Sequence, residues 1–234
     1  MRTIGLLGGM SWESTVPYYQ IINRTVAERL GGLHSAKVIL YSVDFEEVER
    51  LQHADRWREA GSLLADAGIA LQGAGADFLV LCTNTMHRVA PAIEARVGIP
   101  LLHIADPTAR AIEVAGFSTV GLLGTRFTME QDFYRGRLES SSGLAVRVPE
   151  AASRSRVHEV IYGELCQGVI SESSRAGFVG VVSELVEMGA EAVILGCTEI
   201  GLLLRPGDVS IPLFDTTRLH AEAAAAFALA ESIT

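Results

Sequence analysis

Lysine is almost missing from this sequence. Lys37 is the only one, against eighteen arginines. An enzyme that works through pyridoxal phosphate needs a lysine for its Schiff base. Lys37 heads the apolar run 37–41 and sits in no motif suited to that task, so chemistry based on that cofactor is not expected, and no other cofactor is implied. Cysteine is scarce too: three residues, an odd number without paired spacing, fit a reducing compartment better than a disulfide framework. Positive charge is in deficit and forms no basic stripe. A net charge of −9 and a pI near 5.2 argue against nucleic-acid or anionic-membrane partners. No apolar run is long enough to cross a bilayer. Met1-Arg2 leads straight into an apolar strand without a cleavage pattern, so no leader and a cytoplasmic location are expected. The stretch Gly5-Leu6-Leu7-Gly8-Gly9 does not fit the dinucleotide fingerprint. Cys82 and His87 are too few ligands for a metal, and none is assigned.

What is present is apolar residue in quantity, 49% of the 234 residues, enough to build one large α/β domain or two of roughly 115 residues. Short apolar runs bounded by Gly, Pro or polar residues predict strands at 3–7, 37–42, 78–81, 101–104, 119–123, 145–148, 192–195 and 213–214. Longer stretches between them predict helices at 14–30, 56–74, 87–96, 107–115, 130–138, 157–166, 173–188 and 217–229. The alternation implies mostly parallel sheets with helices on both faces.

The chain also repeats itself. Residues 3–8, Thr-Ile-Gly-Leu-Leu-Gly, recur as Thr-Val-Gly-Leu-Leu-Gly an interval of 116 residues later. Residues 76–83 are matched by 190–197 at an interval of 114, and Ile99-Pro100-Leu101 by Ile211-Pro212-Leu213 at 112. Three segments in order at near-constant spacing point to two homologous α/β halves. A solenoid needs at least three copies at a shorter period. The repeat maps Thr83 onto Cys197, each after an apolar strand and before a helix. Ligands of open parallel sheets bind beyond the carboxyl ends of the strands. If the halves face one another about a pseudo-twofold axis, with the active site between them, Thr83 and Cys197 approach one ligand from opposite sides.

That arrangement suits racemisation, which removes a proton from one face of a Cα and delivers one to the other. Cysteine serves when a helix N-terminus lowers its pKa, and Cys197 has that placement in the sequence. The developing carbanion needs its carboxylate held by N–H groups and hydroxyls. Asn84, Thr85, Thr125, Thr128 and Thr198 all follow strand ends, and the turn Gly8-Gly9-Met10-Ser11 permits close backbone approach. Thr83 equally suits a helix N-cap, and His87 a capping, packing or proton-handling role. Cys82 and Cys166 read as core residues, and Trp12 and Trp57 as packing or interface residues.

Gly-Gly-Met at 8–10, Asn-Thr-Met-His at 84–87 and Gly-Cys-Thr-Glu at 196–199 resemble the signatures of the aspartate/glutamate racemase family over essentially the whole chain. The nearest likeness is to the bacterial aspartate/glutamate-specific or broad-specificity racemases. The resemblance implies a pseudosymmetric two-domain α/β enzyme, commonly a homodimer, with a cysteine from each half and no cofactor. It also implies that the C-terminal segment returns to the first domain, giving 1–101 with 214–234 and then 102–213. Thr83 and Cys197 become the catalytic pair; Met10, Gln52, Asn84, Thr85, Thr125, Thr128, Thr198 and Glu199 become substrate-binding residues for an amino acid. Two departures stand out. Thr83 occupies the place of the family's first cysteine, so the two faces are expected to be kinetically unequal. Cys166 stands where some aspartate racemases carry a lysine, which leaves Arg50, Gln52 or Arg126 to read a distal carboxylate, or a substrate without one. Cell-wall glutamate racemases usually show Asp-Ser near the first strand and Gly-Cys-Thr-His; Gly-Met-Ser and Glu199 disfavour that assignment. A decarboxylase or hydantoin-type racemase on the same scaffold, or a non-catalytic amino-acid-binding protein, remain the alternatives.

Overall fold

The computed structural model describes residues 1–230. It holds two compact units, Met1–His103 with the segment from His220 onward, and Ile104–Leu219. The expected returning segment 214–234 ends outside the described residues at 231–234.

The first unit runs β1 (Ile4–Gly8), α1 (Trp12–Leu30), β2 (Val38–Ser42), α2 (Phe45–His53), α3 (Trp57–Gly73), β3 (Phe78–Leu81), a 3-10 turn (Thr85–Val89), α4 (Ala90–Glu94) and β4 (Leu101–Leu102). The second runs α5 (Ala105–Ala115), β5 (Thr119–Gly124), α6 (Arg126–Glu130), α7 (Asp132–Ser142), β6 (Ala145–Arg147), α8 (Ala151–Gly163), a 3-10 turn (Leu165–Gln167), α9 (Glu172–Glu187), β7 (Ala192–Gly196), α10 (Ile200–Leu203) and β8 (Leu213–Asp215). Helix α11 (Thr216–Leu229) follows β8.

Both sheets are wholly parallel and share one topology, β2-β1-β3-β4 and β6-β5-β7-β8. This is the two-fold repeated α/β architecture read from the sequence. The central strands β1, β3 and β7 are buried along their whole length, as near-continuous apolar runs predict. In the first unit, Ile4, Leu6, Phe78, Val80 and Cys82 share one core with Tyr18, Ile22 and Val26 of α1 and Ala221, Ala224, Ala225 and Ala228 of α11. The alternation 78, 80, 82 is the two-residue period of a strand. In the second unit, Ala105, Ala109 and Ile112 of α5 pack with Val120, Leu122, Val193 and Leu195. The helix after each sheet's last strand therefore belongs to the core around the other sheet.

The helices depart from expectation in several places, and α6 and α10 are short additions to the expected set. α2 is absent from the sequence reading because only Phe45, Val48 and Leu51 are apolar in its nine residues. Asp44 caps it, accepting from Glu46 N at 3.2 Å, and Glu46 and Glu47 complement its positive end. The expected helix 87–96 is a 3-10 turn followed by one short helix with Pro91 in its first turn, because proline lacks the N–H that a continuous helix needs. The expected helix 157–166 starts earlier and ends at Gly163, which leaves Cys166 in the following 3-10 turn. Among the described residues no helix is long and apolar enough to cross a membrane.

Candidate active site

In the first unit the site is built where β1 and β3 end side by side. Leu7 pairs with Leu81, and Cys82 N donates to Leu7 O at 2.9 Å. Gly9 turns the chain after β1 at φ +92; a Cβ there would lie 2.4 Å from Val43 O, so only glycine fits. Gly9 N donates to Thr15 Oγ1 at 2.9 Å, and Thr15 Oγ1 donates to Ser11 O at 2.8 Å. Ser11 caps α1, accepting from Ser14 N at 3.4 Å. Met10, Thr83, Asn84 and Thr85 are all buried around this edge, and Gln52 at the end of α2 donates from Nε2 to Met86 Sδ at 2.9 Å.

Thr83 is not the helix N-cap. Its N–H turns back to Leu81 O at 2.9 Å, and the N-cap of the 3-10 turn is Asn84, without a side-chain cap bond. Cys82 points into the α1/α11 core, where its thiol lies 3.6 Å from Val80 O and burial pushes its pKa up. Thr83, one residue on, has the opposite side-chain parity.

Behind Thr83 stands a group of buried histidines. His87 Nδ1 donates to Thr83 O at 2.7 Å, and its ring lies against His103, tilted by 60°, at a centroid distance of 4.4 Å. His220 Nε2 faces Leu102 O at 2.8 Å, so it carries the proton and Nδ1 accepts from Tyr18 Oη at 2.9 Å. His87 thus engages Thr83 through its main chain. Trp57 is buried under the Arg88 guanidinium at 3.9 Å, a packing role, whereas Trp12 is 61% exposed.

In the second unit β5 and β7 approach closely at Gly124 and Gly196. A Cβ on Gly124 would meet Gly196 O at 2.8 Å, and one on Gly196 would meet Leu123 O at 2.9 Å. Beyond β5, Thr125 caps α6, accepting from Thr128 N at 3.3 Å, and the two hydroxyls lie 3.2 Å apart. Arg126 N donates to His158 Nδ1 at 3.3 Å. Beyond β7, Cys197, Thr198 and Glu199 are buried. Cys197 Sγ and Thr198 Oγ1 each donate to Glu199 Oε2 at 2.9 Å, while Cys166 Sγ donates to Oε1 at 3.8 Å.

The electrostatics correct the sequence expectation for Cys197. Its pKa is pushed well above the ordinary thiol value, first by burial and then by the Glu199 carboxylate and Cys166. Helix α10, at four residues, is too short to offer a dipole that offsets this. Cys197 therefore rests as a neutral thiol. Cys166, read as a core residue, is half-buried against the second unit's core and also reaches the carboxylate of Glu199. The sequence singles out Cys166 only by its place at the lysine position of some aspartate racemases; its carboxylate partner lies 33 residues away.

Residues 7–224 match the Asp/Glu/Hydantoin racemase family. The chain belongs to that family. Racemases are isomerases, and this family member shares its architecture with solved relatives. It is 55% identical to an Asp/Glu racemase candidate from Yersinia pestis, with a TM-score of 0.90 over 98% of this chain and 100% of that one. An aspartate racemase homologue from Pyrococcus horikoshii OT3 is 33% identical, with a TM-score of 0.83 over 97% and 99%. The broad specificity amino-acid racemase RacX of Bacillus subtilis is 23% identical over 92% of each chain. Within this racemase-family fold, each unit gathers its own half of the expected site. Met10, Gln52, Thr83, Asn84 and Thr85 lie in the first unit, and Thr125, Thr128, Cys197, Thr198 and Glu199 in the second. Among the described residues no group of three or more His, Cys, Asp and Glu side chains is placed to hold a metal.

Proposed function

We propose that the chain is a cofactor-independent amino-acid racemase of the aspartate/glutamate class, with Thr83 and Cys197 as opposed acid/base groups. One observation carries the reading. Two sheets of identical topology carry these side chains just past their equivalent central strands, Thr83 two residues after the end of β3 and Cys197 one residue after the end of β7. The proposed substrate is an amino acid. Backbone N–H groups and hydroxyls of Asn84, Thr85, Thr125, Thr128 and Thr198 hold its α-carboxylate as charge develops on Cα, with Met10 and Gln52 completing the pocket.

In one direction the Cα–H bond breaks and the proton passes to Cys197 sulfur, whose own proton has moved to Glu199 Oε2. A proton then reaches the other face from the Thr83 side. In the reverse direction Cys197 donates. Glu199 belongs on the Cys197 side of the site, since its oxygens engage Cys197, Thr198 and Cys166. A threonine hydroxyl is a weak base, so the two directions differ kinetically while the equilibrium between enantiomers stays at unity. Lys37, the only lysine, is exposed just before β2, at the end of the parallel strands opposite to Thr83, which supports a reaction without pyridoxal phosphate.

A second copy of the chain is the proposed partner. Trp12, Val16, Tyr19 and Leu40 line an exposed apolar groove between α1 and the edge strand β2. With half-exposed aromatics of roughly 150–250 Å² each, it provides a centre for an interface of standard size. A cytoplasmic location is part of the proposal, supported by three cysteines that form no disulfide.

A decarboxylase is the second reading, favoured by Cys197 resting as a proton donor. Incubation of single amino-acid enantiomers in deuterium oxide separates the two. Racemisation gives α-deuterated antipode without release of carbon dioxide, and Cys197→Ala abolishes it. Carbon dioxide release, or antipode formation undiminished in Cys197→Ala, defeats the proposal.

A further inference from the structure

Glu199 is a buried carboxylate shared by two thiols. Oε2 accepts from Cys197 and Thr198, and Oε1 from Cys166 in the 3-10 turn Leu165–Gln167. The two oxygens thus have separate jobs. Oε2 faces the thiol proposed to react, and Oε1 faces one that has no role in the reaction.

The arrangement has two protonation states of equal net charge. In one, Cys197 is a thiol and Glu199 a carboxylate. In the other, the proton has crossed to Oε2 and Cys197 is a thiolate. A donor on Oε1 stabilises the carboxylate more than the neutral acid. It therefore favours the first state. Burial, and after it Glu199, push the Cys166 pKa upward, so Cys166 is a neutral donor at neutral pH.

Other titratable and charged groups on the surrounding elements make bonds of their own. On α8, His158 Nδ1 accepts from Arg126 N, and its ring packs on Tyr162. Glu164 accepts from Ser174 at 2.7 Å, and Arg175 of α9 donates to Leu203 O at 2.9 Å. Asp215 of β8 faces Gly201 of α10 and accepts from Thr217 N at 2.9 Å and Arg218 N at 3.2 Å.

We propose that Cys166 is a positioning residue that, by donating to Oε1 of Glu199, keeps the shared proton on Cys197 and sets that residue to rest as an acid. The inference rests on the proposed role of Cys197, but its test does not depend on turnover.

The experiment compares Cys166→Ala with Cys166→Ser in the full chain. Both remove the second thiol and only serine retains a donor; Cys82 is buried in the other unit's core. Iodoacetamide labelling of Cys197 is followed against pH, with the site assigned by mass spectrometry. In Cys166→Ala the labelling midpoint falls and the rate at neutral pH rises about 5-fold, the effect of losing one modest hydrogen bond to a charged acceptor. Cys166→Ser keeps the wild-type midpoint. The acid limb of the kcat/KM profile moves in the same sense. If Cys166→Ala fails to fold, Cys166→Val, of similar volume, replaces it. Equal midpoints in the alanine and serine variants, or an unmoved midpoint in the apolar variant, overturn the proposal. A shifted midpoint in a protein that racemises nothing leaves this inference standing and defeats the proposed function.

Discussion

Replacing Glu199 with glutamine removes a charge and leaves the shape. Cys197 Sγ lies 2.9 Å from Oε2, and the carboxylate is the second cause, after burial, of the raised thiol pKa. Two unit charges about 4 Å apart interact by about 1 kcal/mol in water and about 4 kcal/mol at an effective dielectric of 20. With Glu199 charged, forming the Cys197 thiolate meets that repulsion; with glutamine it does not. At about 1.4 kcal/mol per tenfold, the thiolate fraction at a fixed neutral pH rises roughly 10- to 1000-fold. Burial remains, so the titration midpoint falls without reaching the ordinary thiol value. Thiolate ultraviolet absorbance against pH, in a Cys166→Ser background that leaves Cys197 as the one thiol beside Glu199, reads the shift. A midpoint that stays in place or rises would refute the argument, since the carboxylate then contributes nothing to the thiol's protonation. A midpoint at the free-thiol value would refute the primacy of burial.

Thr83→Cys, placing a better acid/base at the end of β3, retains activity or speeds the slower direction in chiral chromatography; a folded, substrate-binding variant without turnover contradicts the opposed-pair assignment. Gly196→Ala forces a Cβ to within 2.9 Å of Leu123 O and 2.6 Å of Leu122 Cδ1. It is expected to cost about 1–3 kcal/mol in denaturant unfolding, the usual scale of overpacking, and to displace Cys197. Asp215 has its pKa raised by burial despite caps from Arg218 N and Thr217 N. Its native form holds a proton longer than its unfolded form, so stability from this group declines as pH rises from the ordinary aspartate value through the raised one. Asp215→Asn keeps the cap acceptor and removes the buried charge. Its melting temperature should gain on wild type above that window and not below it, and a gain confined to acid pH would be contrary to the sign.

The fold was legible because its signals are local. Continuous apolar runs marked every strand of both sheets, and β3 was placed at its observed limits, Phe78–Leu81. The repeated segments foretold that β1 and β5 hold the same place in sheets of the same order. α2 escaped because its stability comes from a cap, end charges and three buried side chains, and not from a broad apolar stripe. Pro91 was visible, yet its effect of splitting one helix into a 3-10 turn and a short α-helix depends on geometry that pattern alone does not carry.

The residues at the strand ends were legible for the same reason: parallel strands expose the residues following them at one edge, whatever the rest of the chain does. Their protonation was not. Placement before a helix argued for an acidic Cys197, but pKa follows from what surrounds the sulfur in space. Burial, a carboxylate two residues on and a thiol 31 positions away in the chain act together there. Composition and periodicity determined a duplicated α/β scaffold and the positions from which chemistry can be done. Only the folded chain decided that Cys197 rests protonated and that Cys166 belongs beside it, because desolvation and charge depend on distances that close only on folding.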